Sequence, residues 1–274
     1  MAVVDKYLKN SFAGNLLPDE CEQKNINILT QVHEVLQMRL FSYLIEQECI
    51  KDKNNTISMI ELGADDGEYT HIFRKVVSLF DKKSFNICTD AMLHRVESLE
   101  NRFNPVSTET GFRSPEGGDV KIYHGYSGVF DKRSHEDEAV PAGYFSAKKI
   151  TMRELFTKNN LDYLNFLHID IQGGEEELIT EIINEDLYDK IGYYFISTHG
   201  SDRHLKILSA LKNNGHVVFN MAEPATGWAF GDGFILATNK KQSLSPRDIP
   251  LEYMQFNTKF NDPPSIPGII RYDL

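Results

Sequence analysis

Residues 61–70 read ELGADDGEYT and residues 167–179 read LHIDIQGGEEELI, and these two stretches decide the fold. Each begins as an apolar, strand-like run, turns at glycine and continues as a segment of helix length. Such strand–turn–helix units imply parallel strands, because a crossover helix is what returns the chain to the same end of a sheet. In an open parallel sheet, ligands bind beyond the carboxyl ends of the strands, so both turns are expected to face a ligand.

The same alternation continues outward from these two stretches. Short apolar segments predict seven strands, at 56–62, 85–88, 120–123, 164–171, 193–197, 216–220 and 233–238. Segments of helix length lie between them, at 68–80, 92–103, 152–159, 175–184 and 202–213. The prediction is a doubly wound, Rossmann-like α/β fold with a mostly parallel seven-stranded sheet, closed by an antiparallel pair.

The chain divides into three parts. Residues 1–55 predict an N-terminal helical extension packed on the core, because apolar residues between 25 and 48 recur every three or four positions. Residues 56–240 form the α/β domain. Residues 241–274 contain five of the ten prolines and predict an extended C-terminal arm. If the protein forms homo-oligomers, the N-terminal helices or this arm are the expected contact surfaces.

Composition excludes several classes of protein. The 274 residues carry 29 Lys and Arg against 40 Asp and Glu, a net charge of −11, and 41% are hydrophobic. A chain of this kind builds a sizeable core, and its negative charge disfavours nucleic acid as a partner. Three widely spaced cysteines fit a reducing compartment. No segment reads as a signal peptide or a membrane span, so a cytoplasmic location is predicted.

The turn after the first strand is acidic, with carboxylates at Glu61, Asp65 and Asp66. Its glycines, Gly63 and Gly67, suit a tight bend, but the G-x-G-x-x-G pattern of dinucleotide sites is missing. Three carboxylates would repel a pyrophosphate and suit a cationic ligand without phosphate. S-Adenosylmethionine, which carries a sulfonium and an ammonium group, is such a ligand.

The ends of the next two strands supply candidate contacts for the rest of that ligand. Asp90 ends the second strand, where an acid accepts ribose hydroxyls in nucleotide folds, and it can also cap the following helix. The third strand ends in YHGYSG, residues 123–128. Gly125, Tyr126 and Ser127 are therefore expected near the adenine, where an aromatic ring stacks and a polar group contacts N6.

The fourth and fifth strands carry the candidate catalytic residues. Asp170 interrupts an apolar run, which is costly unless its carboxylate reaches the crevice, and His199 ends the next strand. Neighbouring strands lie about 5 Å apart, so these two side chains are expected side by side. His199 is a candidate general base, with Asp170 orienting it, holding the ligand's ammonium or binding a cation. His168, on the same side of its strand as Asp170, is the competing base.

These pieces, in this order, resemble the FkbM-type family of class I S-adenosylmethionine-dependent methyltransferases. ELGADDGEYT resembles the glycine-rich first motif of the family, and ITMRELFTKNNLDYLNFLHIDIQGGEEELI, residues 150–179, resembles its hallmark segment. FISTHG, residues 195–200, matches the position of its fifth strand, and the resemblance covers residues 56–240. The chain departs from the family pattern at five places: Asp65, Asp90-Ala91, His168, Gln172, and Ser197 or Thr198.

The resemblance implies a class I methyltransferase fold and S-adenosylmethionine as cofactor. It also implies O-methylation of a hydroxyl on a small-molecule or glycan acceptor. Together with the residue patterns, it predicts His199, Asp170 and His168 as catalytic residues. The residues predicted to bind the cofactor are Glu61, Gly63, Ala64, Asp66, Gly67, Asp90, Ala91, Gly125, Tyr126, Ser127, Asp170 and Ile171.

Three alternatives stay open. A divalent metal on Asp170, Glu175 and His199 would activate an acceptor hydroxyl in place of a base, although magnesium and manganese prefer an all-oxygen set. Tyr144 and Lys148 have the Tyr-x-x-x-Lys spacing of an NAD(P)-dependent Rossmann oxidoreductase. The chain could also be a catalytically inert, methyltransferase-like binding module.

Overall fold

A computed structural model describes residues 28–103, 112–114, 118–128, 147–221, 233–242, 244, 248 and 249. The helices of this part are α1 (Ile28–Lys51), α2 (Glu68–Ser78), α3 (Leu93–Phe103), α4 (Met152–Lys158), α5 (Glu175–Asn184) and α6 (Ser201–Asn214), with a 3-10 turn at Tyr188–Lys190. The strands are β1 (Thr56–Leu62), β2 (Lys83–Asp90), β3 (Phe112–Ser114), β4 (Gly118–Tyr126), β5 (Lys148–Lys149), β6 (Leu164–Ile169), β7 (Ile191–Thr198), β8 (His216–Met221) and β9 (Gly233–Thr238).

The strands form one sheet in the order β3-β4-β2-β1-β6-β7-β9-β8, and β5 pairs with β4 beside this path. β4, β2, β1, β6 and β7 run parallel, whereas β9 is antiparallel to both β7 and β8. The strand order reverses between β1 and β6, which creates the crevice that a doubly wound sheet offers to ligands. The predicted Rossmann-like α/β fold, with its antiparallel closing pair, is confirmed.

The predicted number of strands is wrong, because the sheet has nine strands within the described residues rather than seven. All seven predicted strands are present, close to their predicted ends. The two additional strands, β3 and β5, are three and two residues long and pair with β4. Segments this short carry no hydrophobic alternation, and they form because β4 offers them a free backbone edge.

Helices cover both faces of the sheet, as a buried parallel sheet requires. On one face, α4, α5 and α6 pack through buried side chains such as Leu155, Leu178 and Ile207. On the other face, α1 and α2 pack through Phe41 and Phe73. The central strands β6 and β7 are buried along their whole length. A polar side chain on either strand therefore enters a helical layer unless it lies at the strand's end.

The helix α1 is the described part of the predicted N-terminal extension, and it packs on the α/β domain. Its buried Glu48 accepts a hydrogen bond from Asn165 Nδ2 at 2.9 Å and another from the Tyr193 hydroxyl at 3.3 Å. Burial raises the pKa of Glu48. Leu244 and Ile249, from the predicted C-terminal arm, join the same hydrophobic layer as α1.

Part of the sequence prediction falls outside the described residues. This holds for residues 1–27 of the extension, most of the C-terminal arm, and Tyr144 of the dehydrogenase-like spacing. Within the described ranges, no helix combines the length and the apolarity that a membrane crossing needs.

Candidate active site

A cleft opens where the parallel strands β1, β2, β4 and β6 end and the strand order reverses. Its lining residues are Gly63, Asp65, Thr89, Asp90, Ala91, Met92, Arg95, Gly125, Tyr126, Ser127, Asp170, Ile171 and Gln172. The predicted cofactor-binding residues among them are Gly63, Asp90, Ala91, Gly125, Tyr126, Ser127, Asp170 and Ile171. Sequence reasoning placed these residues at one edge because parallel strands end at the same edge of a sheet.

Gly63 brings the turns after β1 and β6 together. It has a φ of +75°, and a Cβ added to it would collide with the carbonyl oxygen of Asp170. The Gly63 N–H donates to Thr89 O at 3.0 Å, and the Asp170 N–H donates to Leu62 O at 2.9 Å. The sequence interpretation assigned this glycine to a tight bend and to cofactor binding. In the structure, the close approach of the Asp170 backbone, just after β6, also requires a glycine here.

Asp90 forms hydrogen bonds with two of the segments that line the cleft. Its Oδ2 accepts a hydrogen bond from the Asp65 N–H at 3.1 Å, and its Oδ1 accepts one from the Met92 N–H at 2.8 Å, just before α3. Asp90 thus accepts a hydrogen bond from the backbone turn that leads into α3, which corresponds to the expected helix-capping role. Because each carboxylate oxygen can accept a second hydrogen bond, Asp90 can hold these turns and also accept ligand hydroxyls.

Negative charge predominates in the cleft. Three carboxylates and one guanidinium line it: Asp65, Asp90, Asp170 and Arg95. Asp65 forms an ion pair with Arg95. The lining is acidic, as the first turn suggested, but Asp65 is its only carboxylate from that turn, and Asp90 and Asp170 follow other strands. This charge favours a cationic ligand over a pyrophosphate.

Four predicted binding residues do not line the cleft: Glu61, Ala64, Asp66 and Gly67. Glu61 is buried beneath the turn, where its Oε2 accepts hydrogen bonds from Thr70 Oγ1 at 2.5 Å and from the Thr70 N–H at 3.1 Å. Burial raises the pKa of Glu61 to about 8. The Asp66 side chain is instead 58% exposed. The direction in which each side chain points depends on strand and turn geometry, which spacing in the sequence does not give. That direction keeps Glu61 and Asp66 out of the cleft.

Sequence reasoning left five cleft residues out of the binding set: Asp65, Thr89, Met92, Arg95 and Gln172. Most of them are next in sequence to predicted residues such as Asp90 and Ile171. Their position in the sequence could therefore have identified them. Arg95 lies within the first turn of α3, and its position follows from the direction in which that helix starts.

His199, Glu175 and Asp170 come together beside the cleft. His199 Nδ1 lies 2.5 Å from Glu175 Oε1, and His199 Nε2 lies 3.5 Å from Asp170 Oδ1. Glu175 is fully buried, whereas the side chains of Asp170 and His199 are 39% and 19% exposed. Asp170 and His199 are adjacent, as predicted. The closer partner of His199 is Glu175, because α5 starts at this residue directly behind the glycine turn.

His168 does not join this group. Its side chain is 3% exposed, its Nδ1 lies 3.7 Å from Glu61 Oε1, and its ring stacks on Tyr69 at a centroid distance of 3.8 Å. Burial lowers the pKa of His168 to about 3. Strand alternation was expected to aim this ring at the crevice alongside Asp170. Because β6 is a fully buried strand, the ring instead enters the layer beneath α1 and α2.

Asp170, Glu175 and His199 are the residues that the sequence offered as possible metal ligands. Both carboxylate oxygens of Glu175 accept hydrogen bonds from the Gly173 N–H at 3.0 Å, and one of them also faces His199 Nδ1. In the part of the chain that the structure describes, no group of three His, Cys, Asp or Glu side chains is arranged to hold a metal ion. His199 uses its two ring nitrogens to contact Glu175 and Asp170 separately.

No protein-family model and no curated protein matches the sequence. Among solved structures, the METTL16 MTase domain is 12% identical over 74% of this chain and 68% of that chain, with a TM-score of 0.44. A putative class I S-adenosylmethionine-dependent methyltransferase from Listeria monocytogenes is 11% identical over 82% of this chain and 65% of that chain, with a TM-score of 0.44. Methyltransferase FkbM from Methylobacillus flagellatus KT is 16% identical over 72% of this chain and 47% of that chain, with a TM-score of 0.39. These low similarities carry no statement about substrate or mechanism.

Proposed function

We propose that this protein is an S-adenosylmethionine-dependent methyltransferase that methylates a hydroxyl oxygen of a sugar, a glycan or a small metabolite. The observation that carries the proposal is the cleft at the strand switch point, where three carboxylates outnumber one guanidinium. A cationic ligand without phosphate fits this charge better than a dinucleotide does. The FkbM resemblance of residues 150–179 agrees with the same ligand.

The cleft residues have distinct proposed roles toward this cofactor. Asp90 accepts the ribose hydroxyls, and Tyr126 and Gly125 contact the adenine. The Ser127 hydroxyl donates to Ile150 O at 2.9 Å, so its oxygen remains free to accept a hydrogen bond from the adenine amine. Asp170 is partly exposed and suits the ammonium group. When bound, S-adenosylmethionine supplies a methyl group on a positively charged sulfur, which leaves as a neutral thioether.

His199 is the proposed general base. With S-adenosylmethionine bound, the methyl group would pass from its sulfur to the acceptor oxygen, and His199 Nε2 would take the proton that the hydroxyl loses. A positioned base contributes about 10²–10⁴-fold to such a step, and alignment of the reacting groups contributes about 7–11 kcal/mol. His168 is not proposed for this role because its ring is buried in a helical layer. We place acceptor specificity in residues 104–149 and 221–232 and in the C-terminal arm.

Calorimetric titration with S-adenosylmethionine, NAD⁺ and NADP⁺ tests the cofactor. Saturable binding is expected for S-adenosylmethionine and none for the two dinucleotides, because the cleft repels their phosphates. A screen of hydroxylated glycans and metabolites with methyl-labelled cofactor then tests the reaction. Binding of NAD⁺ without S-adenosylmethionine would favour the oxidoreductase. Cofactor binding without transfer to any acceptor would favour the inert binding module.

A further inference from the structure

We propose that Glu175 is the positioning residue for His199, fixing the tautomer in which Nδ1 carries the proton and Nε2 is the nitrogen that accepts one. His199 Nδ1 and Glu175 Oε1 are 2.5 Å apart, and Glu175 has no exposed surface. The proton that Nε2 accepts is defined by the proposed methyl transfer, on which this inference rests. The tautomer itself can be measured without any reaction.

The surroundings of Glu175 make it a hydrogen-bond acceptor. Both of its oxygens accept from the Gly173 N–H at 3.0 Å. Because Glu175 already acts as an acceptor there, we assign it the acceptor role in the 2.5 Å contact as well, with His199 donating through Nδ1–H.

The second carboxylate near His199 faces its other ring nitrogen. With the proton on Nδ1, Nε2 is the nitrogen that takes the hydroxyl proton, and it lies 3.5 Å from Asp170 Oδ1. Once Nε2 takes a proton, the imidazolium lies between the carboxylates of Glu175 and Asp170, and both stabilise its charge.

The backbone around the pair is fixed as well. Arg203 Nη1 donates to the carbonyl oxygen of His199 at 2.7 Å, and the same guanidinium lies against Gly173. The Arg203 side chain therefore lies beside both the turn that holds His199 and the glycine turn just before Glu175.

Nitrogen-15 NMR of the full chain labelled at histidine tests the proposal. Two-bond proton–nitrogen spectra at alkaline pH distinguish the two neutral tautomers, and the spectrum of His199→Gln identifies the His199 signals among those of the nine histidines. The wild-type protein is expected to show the Nδ1–H tautomer. Observation of the Nε2–H tautomer would overturn the proposal, whether or not any variant folds.

Glu175→Gln then separates positioning from packing, because it keeps the side-chain volume and removes the charge. Its His199 signals should shift toward the Nε2–H tautomer, and kcat should fall about 10²-fold, with an unchanged Kd for S-adenosylmethionine. Glu175→Asp keeps the charge and should retain more of the Nδ1–H tautomer and of the turnover. If Glu175→Gln keeps both the tautomer and kcat, the inference is wrong.

Glu176→Gln is the matched control, one residue further along the same helix. Glu176 is 38% exposed and pairs with Lys206 Nζ at 3.1 Å, so the same change there should leave the His199 spectrum and kcat as they are. The NMR readout also distinguishes this inference from the proposed function. A protein that shows the expected tautomer but transfers no methyl group would refute the reaction and leave the positioning role intact.

Discussion

His168 and His199 lie near the ends of neighbouring strands, yet only His199 is placed to exchange a proton with a ligand. Neither ring nitrogen of His168 has a hydrogen-bond partner among the described residues, and its side chain is 3% exposed. His199 contacts two carboxylates and is 19% exposed. His168 precedes the last residue of β6, whereas His199 follows the last residue of β7. The comparison shows how much a difference of two positions relative to the strand's end changes: one histidine lies inside a helical layer, and the other lies beside the cleft.

The strongest test of this comparison is His199→Ala. Loss of the base should lower kcat by about 10²–10⁴-fold, because the hydroxyl proton then has no positioned acceptor. The Kd for S-adenosylmethionine should change little, since His199 is not among the residues that line the cleft. Steady-state kinetics and calorimetry on the same preparation measure both quantities. A variant that turns over normally would remove His199 from the mechanism and reopen the question of the base.

The next largest effect is expected at the cofactor side of the cleft, with Asp90→Asn. The variant loses the charge and one of the two acceptors that hold the Asp65 and Met92 N–H groups. A hydrogen bond to a charged group contributes about 1.5–3 kcal/mol, so affinity for S-adenosylmethionine should fall about 10- to 100-fold. Calorimetric titration gives this value, and thermal unfolding shows whether the turn itself is weakened.

Asp66→Asn is the matched change outside the cleft. It removes the same charge from a side chain that is 58% exposed, and the affinity for S-adenosylmethionine should stay close to that of the wild type. If both variants weaken binding equally, the cofactor responds to overall charge rather than to the residues that line the cleft. The distinction between Asp90 and the acids of the first turn would then be lost.

The last expected effect concerns stability rather than activity and belongs to His168→Leu. Burial lowers the pKa of His168 to about 3 from an ordinary value of 6.5, so the unfolded chain binds this proton more readily than the folded protein. The contribution of His168 to the free energy of unfolding of the wild type is therefore fully present above pH 6.5. It is lost as the pH falls toward 3. At pH 5 the loss amounts to about 2 kcal/mol.

Urea unfolding of both proteins at pH 7 and pH 5 measures this difference. The leucine variant should lose less stability than the wild type between the two values, and its kcat should stay near that of the wild type. Glu61, whose pKa is raised to about 8 by burial, contributes an opposite pH dependence that both proteins share. An equal loss of stability in the two proteins would show that His168 reaches water.

Much of the site could be predicted because strand ends are visible in the sequence. Asp90, Asp170 and the YHGYSG segment follow apolar runs directly, and the parallel sheet brings their ends to one edge. The errors have a common cause, which is side-chain direction. Glu61 and His168 were assigned to the crevice, but both lie on fully buried stretches of β1 and β6 and turn into the helical layers.

The role of Glu175 could not be predicted from the sequence, for a different reason. The sequence shows three consecutive acids at 175–177 at the start of a helix, and nothing in that run distinguishes the member that faces His199. The helix has to be placed against the β7 turn before Glu175 becomes buried and Glu176 and Glu177 remain partly exposed.

The amino-acid sequence alone determined the alternation of strands and helices, and hence the sheet, its switch point and the acidic edge where a ligand would bind. It could do so because hydrophobic period, glycine turns and strand ends are local properties of the chain. The tertiary structure alone decided which carboxylates face the cleft, which histidine contacts them and which acid holds its ring. Those outcomes depend on how the helices and strands pack against each other, and packing joins residues that are distant in sequence.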